Sequence, residues 1–245
     1  MRLNMRYAII AAGEGSRLAQ EGINVPKPLV EVCSECLIDR LIRIFMNNGA
    51  TQITVICNDM DKRVSHHLMD IQSESISGTL PPLNIIVKST PSSMHSLYEM
   101  RTALQGEPFC LTTVDTIFSE EEFTRYIQAF SRIADSSDTD GIMGITAHID
   151  DEKPLYVDTD GNGNITAFLD HSDTCRNISA GIYGLMPQSL KVLEECVNNG
   201  ETRMRNFQRA LIAAGMRLKA FSFGKVLDID HASDISKAEV FLKGE

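Results

Sequence analysis

The residues best equipped for chemistry lie near the N-terminus, in Ala11-Ala12-Gly13-Glu14-Gly15-Ser16-Arg17-Leu18, with Lys27 following in Pro26-Lys27-Pro28-Leu29. Glycines placed after a strand let backbone N–H groups approach a phosphate closely, and a helix starting behind them adds the positive end of its dipole. Arg17 and Lys27 bring full positive charge to the same stretch. Proline on either side of Lys27 predicts an extended, stiff segment that presents the ammonium group rigidly, as a phosphate clamp requires. The chemistry on offer is polyanion binding. Two familiar phosphate loops are excluded by the letters. A dinucleotide fingerprint needs a third glycine where Leu18 stands, and a P-loop needs a Gly-Lys-Ser/Thr run that the chain lacks. By itself the Gly-x-Gly is equally readable as a tight turn from strand to helix.

Such a loop can work only if a sheet holds it. Short apolar runs alternate with amphipathic stretches through the first half of the chain. Strands are expected at Tyr7–Ala12, Gln52–Cys57, Leu83–Lys88 and Phe109–Val114, and helices at Cys36–Asn48, Asp61–Ile71, Ser96–Leu104 and Glu120–Ala134. This rhythm predicts an α/β fold with a Rossmann-like, mostly parallel sheet and helices on both faces. The second half changes character. Strands are expected at Gly141–Ile149, Leu155–Asp158, Ile165–Leu169 and Ser179–Leu185, then helices at Gln188–Asn198 and Asn206–Ala214. Strands near Leu218–Phe223 and Lys225–Ile229 and a helix at Asp234–Leu242 close the chain. We expect residues 1–245 to form one domain, with 141–186 contributing a small inserted β lobe that covers the open end of the parallel sheet.

Composition narrows the function classes. An apolar share of 43% and a net charge of -10 describe an ordinary globular protein without the basic face that sequence-blind nucleic-acid binding needs. No stretch is long and apolar enough to span a membrane. Six scattered cysteines, two of them (Cys57 and Cys110) inside apolar runs, suggest free thiols and a cytoplasmic location. Cys33-x-x-Cys36 lacks the second ligand pair of a zinc site. Asp158-Thr159-Asp160-Gly161-Asn162-Gly163-Asn164 imitates the start of a calcium loop, but Leu169 stands where the closing Glu belongs, so a hairpin turn is expected. The six histidines form no metal-spaced pair, and His66-His67 are expected to cap or decorate a helix.

The N-terminal loop with its Pro-Lys-Pro-Leu sequel resembles the signature of the sugar-1-phosphate nucleotidylyltransferases, the enzymes that make NDP-sugars. The likeness continues at Leu37-Ile38-Asp39-Arg40-Leu41, Asn48-Gly49-Ala50, Asp115-Thr116-Ile117-Phe118, Ser179-Ala180-Gly181-Ile182-Tyr183 and Asp228-Ile229-Asp230-His231-Ala232-Ser233-Asp234-Ile235. It thus spans nearly the whole chain. The resemblance implies that Ile10 to Gly13, with Gly15 and Ser16, hold the nucleotide and that Ser92 and Ser93 lie at the base-contacting turn. It implies that Arg17 binds the β- and γ-phosphates, that Lys27 binds the acceptor phosphate, and that Asp115 and Asp228 share a Mg2+. It also brings Asp170 and Ser179 to the acceptor.

Elementary chemistry supports those roles. Joining an NTP to a phosphorylated acceptor brings two polyanions together, so positioning and charge neutralisation matter more than acid–base groups. The acceptor, with a second pKa of about 6, is already largely ionised and needs no general base. Mg2+ takes oxygen ligands and keeps waters, so one or two carboxylates plus substrate phosphates suffice. Asp115 follows one expected strand and Asp228 ends another, and ligands of parallel sheets bind beyond the strands' carboxyl ends. Asp230 is the rival to Asp228, and capping the last helix is its simpler role.

Departures from the family pattern fall on the substrate side. Ser92-Ser93 replaces a common Gly-Thr, Val114 a Gly before the metal Asp, Asp170-His171 a Glu-Lys pair, and Ser179 an Asn. Three readings stay open: NMP transfer to a sugar-1-phosphate, CTP-dependent activation of another phosphorylated alcohol such as a phosphocholine-like compound, and a non-catalytic nucleotide-sugar sensor.

Overall fold

The structure, a computed structural model, describes residues 5–76, 82–134, 138–150 and 153–244. The extreme ends of the expected domain, and residues 151–152 of the expected lobe, lie outside the described residues. The elements run β1 (Met5–Ala11), α1 (Ser16–Gln20), β2 (Glu31–Val32), β3 (Glu35–Cys36), α2 (Leu37–Asn47), β4 (Ala50–Cys57), α3 (Lys62–Ile76), β5 (Leu83–Val87) and α4 (Ser93–Leu104). They continue with β6 (Phe109–Thr113), β7 (Thr116–Phe118), α5 (Glu120–Ala134), β8 (Gly141–Thr146), β9 (Tyr156–Thr159), β10 (Ile165–Leu169), β11 (Ile178–Leu185), α6 (Ser189–Asn198), α7 (Met204–Ala213), β12 (Leu218–Phe223), β13 (Val226–Asp228) and α8 (Ala232–Lys243).

Strands β6, β1, β4 and β5 form a parallel core, and β11 joins it antiparallel through β6. Beyond β11 lie β9 and β10 on one path and β8 and β12 on another. The α/β architecture with a mostly parallel, mixed sheet is the one expected. Its core is built by alternation along the strands. In β1, Tyr7, Ile9 and Ala11 pack on the face covered by α2, α3, α5 and α8, while Ala8 and Ile10 pack on the face covered by α4, α6 and α7. Burying both faces of a strand turns it into a near-continuous apolar run, which is why β1 reads as one. On the first face Tyr7 stacks on Phe45, with ring centroids 4.4 Å apart, and Phe123 stacks on Phe118 at 4.8 Å.

The turn Asp160–Gly163 joins β9 to β10 as an antiparallel hairpin, and the Asp160 carboxylate accepts the Asn162 and Asn164 amides at 2.8 Å each. That carboxylate braces the turn. Cys33 and Ser34, both at positive φ, make the tight corner of the β2–β3 hairpin, so Cys33 lies in the turn and Cys36 at the end of β3. These two-residue strands and β7 are too short for any periodicity to announce them. All six cysteines are free thiols, with Cys57, Cys110 and Cys196 buried. Among the described residues no helix is long and apolar enough to cross a membrane.

Candidate active site

Strand β1 delivers the glycine loop at the carboxyl end of the parallel core. Gly15 sits at φ 62 as the N-cap of α1, and a Cβ there would lie 3.2 Å from the Cβ of Lys27. Glycine is required twice over, by the left-handed backbone and by the approach of the Lys27 segment. The loop is tied down by Leu18, buried in the core, and by the Asn58 side chain, which donates to the Gly13 carbonyl at 3.3 Å. Lys27 is presented differently from the extended segment expected. Pro26 is extended, but Lys27–Leu29 then closes one turn of 3-10 helix, with the Val30 amide donating to the Lys27 carbonyl. Pro28 inside that turn supplies the rigidity.

The Lys27 ammonium donates to Asp115 at 2.7 Å and to Asp230 at 2.8 Å. Arg17 reaches the second oxygen of Asp230 at 3.3 Å. The Lys27 side chain is 11% exposed and Asp115 20%, so the link is shielded from solvent on the Asp115 side and open toward Asp230, which is 45% exposed. Burial alone pushes the Lys27 pKa down, but the two carboxylates more than offset it and hold the ammonium above its ordinary range.

Asp115 lies just past the end of β6, which stops one residue short of the expected strand, and the buried Val114 amide between them donates to the Ile10 carbonyl at 3.0 Å. The Asp115 carbonyl in turn accepts the Ile229 amide at 3.1 Å, which draws the end of β13 to the end of β6. Asp230 corrects the sequence expectation. Strand β13 ends at Asp228, and two residues on the Asp230 carboxylate is taken up by Lys27 and Arg17 instead of by the first turn of α8. The capping of α8 falls to His231 as N-cap and to Asp234, whose carboxylate accepts the His231 amide at 2.8 Å.

Three clefts meet at Asp228. The first, about 420 Å3, is lined by Ile10, Ala12, Gly13, Gly15, Lys27, Thr90, Ser92, Ser93, Asp115, Asp228 and Asp230, and so collects the glycine loop and both serines. Ser92 is also the N-cap of α4, its side-chain oxygen accepting from the His95 amide. The second, behind Asp230, is lined by Arg17, His148, Lys153, Ser179, Asp228 and Lys237 among others. The third extends from Asp228, Ser179 and Tyr183 to Lys153, Arg203, Arg205 and Gln208. Gln208 donates to the Ser179 hydroxyl at 2.9 Å, which fixes that hydroxyl beside the cleft. Burial pushes the Tyr183 phenol up to about 12, with the Asp228 carboxylate acting in the same direction and a Ser179 hydrogen bond against it.

Among the expected site residues, Ala12, Gly13, Gly15, Lys27, Ser92, Ser93, Asp115 and Asp228 share the first cleft, while Arg17 and Ser179 line the second. Ala11 is buried in β1, and Ser16 opens α1 beside Gly15 without lining these clefts. Asp170 also lines none of them. Its carboxylate bonds Arg205 at 2.5 Å and Arg209 at 2.7 Å, so it steers an arginine that does reach the third cleft. Sequence reasoning passed over Lys153, Arg203 and Arg205, whose one sequence signal is the Arg203-x-Arg205 spacing at the start of α7.

The model of the nucleotidyl transferase family matches residues 7–244. The chain belongs to that family. It is an enzyme that transfers a nucleotidyl group. Its fold is that of the inositol-1-phosphate CTP transferase from T. maritima, with a TM-score of 0.77 and 17% identity over 97% of each chain. A putative glucose-1-phosphate thymidylyltransferase from Bacillus anthracis, solved with sucrose, superposes with a TM-score of 0.81 and 16% identity over 98% of this chain and 96% of that one. A bifunctional IPC transferase and DIPP synthase from Thermococcus kodakarensis is 28% identical over 132 residues, which are 53% of this transferase and 28% of that protein.

No group of three or more His, Cys, Asp or Glu among the described residues is arranged to hold a metal unaided. Asp115 and Asp230 nevertheless converge on one point, the Lys27 nitrogen, and Asp228 lines the same cleft. Oxygen donors from carboxylates, completed by substrate phosphates and water, are the ligand set Mg2+ accepts.

Proposed function

We propose that the transferase moves NMP from an NTP to the phosphate of a small hydroxylated acceptor, a sugar-1-phosphate in the first instance, and releases pyrophosphate. The observation that carries this reading is the Lys27 ammonium held between Asp115 and Asp230 where the clefts meet. There it can grip a phosphate arriving from the acceptor side. The backbone of Ala12–Gly15 would receive the triphosphate, Ser92 and Ser93 the base end, and Arg17 the leaving pyrophosphate. An acceptor phosphate oxygen forms the new bond to the α-phosphorus. The bond from that phosphorus to the β-bridging oxygen breaks, and the electron pair leaves with pyrophosphate. No proton need be transferred in that step. Asp115, with Asp228 or Asp230, would hold a Mg2+ that neutralises charge on the reacting phosphates when bound.

The acceptor would occupy the compartment bounded by residues 141–186 and the start of α7. Ser179, Gln208 and Thr202 offer hydroxyl and amide groups to a polyol, and Lys153, Arg203 and Arg205 offer positive charge. Tyr183 is the one aromatic side chain lining this compartment among the described residues, and it is buried. A quaternary ammonium acceptor is bound by aromatic faces and repelled by cations. This lining supports a neutral or anionic acceptor over a phosphocholine-like one. CTP-dependent transfer to another phosphorylated polyol is the second reading, favoured by the two similar proteins whose names specify CTP or IPC transfer. Pyrophosphate release measured over a matrix of NTPs and acceptor phosphates with Mg2+ tests both. Release with a sugar-1-phosphate supports the first, release confined to CTP and a non-sugar polyol phosphate the second. Silence with every pair, alongside normal nucleotide binding, overturns the proposal.

A further inference from the structure

The short α1 bears Arg17, yet it is only five residues long, and Leu18 is its one buried side chain. A helix of that length has no stability of its own and must be held by its surroundings. What holds its far end is Glu21. One carboxylate oxygen of Glu21 bonds His231 Nδ1 at 2.6 Å, and the other accepts the Ala232 amide at 2.6 Å. Both partners belong to the link that follows Asp228 and Asp230. The same link is triangulated from two other directions. Ile229 donates to the Asp115 carbonyl at 3.1 Å, and Asp234 accepts the Asp230 and His231 amides at 3.2 and 2.8 Å. Together with the 3.3 Å contact from Arg17 to Asp230, Glu21 makes a two-point brace between the glycine loop and the carboxylate-bearing link, across more than 200 residues of sequence.

We propose that Glu21 and His231 are positioning residues for the transfer reaction: they fix the distance between the Arg17 loop and the Asp228–Asp230 segment. This rests on the proposed roles of those two segments. Neither Glu21 nor His231 need touch a substrate phosphate. Their bond sets the width of the gap that a triphosphate with its metal must span. A bidentate carboxylate serves this purpose because it orients the two segments as well as joining them. The same carboxylate satisfies an otherwise open helix N–H at the start of α8, so it adds no unpaired group to the site.

The test is steady-state kinetics with pyrophosphate release on Glu21→Ala, His231→Ala, the double variant and His231→Asn, using the NTP and acceptor that the wild-type chain accepts. Asn presents a side-chain N–H close to where His Nδ1 lies. Each alanine variant should raise the NTP KM about tenfold and leave the acceptor KM within about twofold, the size of one lost charged hydrogen bond. The double variant should be no worse than Glu21→Ala, which already removes the His231 bond. His231→Asn should recover most of the lost affinity. Circular dichroism and Tm on each variant separate misfolding from misplacement. An unchanged NTP KM in a folded Glu21→Ala overturns the inference, as does equal damage to both substrates' KM or strict additivity in the double variant. Absence of turnover in the wild-type chain counts against the proposed function instead.

Discussion

The proposed nucleotide side and the proposed acceptor side of the site are built differently. On the nucleotide side, segments from β1, the Pro26–Leu29 turn, β6 and the β13–α8 link are pinned to one another by direct contacts. Lys27 bonds two of them, and backbone bonds from Val114 and Ile229 tie three strand ends together. On the proposed acceptor side, the groups at the cleft are held mainly by side-chain bonds between α7 and residues 141–186: Gln208 on Ser179, and Asp170 on Arg205. A triphosphate offers the same charges whatever its base, so parts that met it would gain from being fixed relative to one another. An acceptor varies, and its cleft is framed by side chains that can be exchanged without disturbing the sheet.

The comparison can be broken most severely at Asp115. Asp115→Asn keeps the side chain's size but lowers its charge, and should cut kcat by about a hundredfold or more, read by pyrophosphate release. Turnover near the wild-type value would remove Asp115 from the chemistry. Lys27→Ala should cost about thirtyfold in kcat/KM, the equivalent of about 2 kcal/mol for a shielded charged hydrogen bond. Its loss should fall on the acceptor's KM, and a change confined to the NTP would assign Lys27 to the nucleotide side. Arg203→Ala should raise the acceptor KM about tenfold and spare the NTP, the size expected for losing one charged hydrogen bond. Ser93→Ala should shift the preference among NTPs by about threefold, the equivalent of about half a kcal/mol. Competition between CTP and the other NTPs reads that shift.

The smallest expected effect is on stability. Hydrogen bonds from Arg209 and Arg205 hold the Asp170 carboxyl below the usual carboxylate range. A depressed pKa contributes stability that is present above the unfolded value, about 3.9, and is lost as pH falls through the folded value. Asp170→Asn should therefore lower Tm slightly at pH 7, and the gap should close below about pH 4. A gap that persists in acid would mean that the pair contributes through packing.

Much of the scaffold was legible because its signals are local. The apolar runs of β1, β4 and β6 and the turn at Asp160–Gly163 need only alternation and turn chemistry. Asp115 was placed at a strand end by the same logic. Asp230 was misread because an Asp just before a helix reads locally as a cap, whereas its actual partners, Arg17 and Lys27, lie more than 200 residues away in sequence. The Lys27 turn was misread because prolines on both sides suit an extended segment and the first turn of a 3-10 helix equally. Arg203 and Arg205 offered only their spacing, and Lys153 and Glu21 no signal at all, for another reason. Their roles depend on which distant residues the sheet brings beside them.

Lys27 has a consequence beyond its proposed role in the transfer. Clustered carboxylates ordinarily repel and need a bound cation to let the chain close around them. Here that cation is covalently part of the protein. The site can assemble during folding without waiting for magnesium, and a chelator should silence the purified enzyme while leaving its melting temperature nearly where it was.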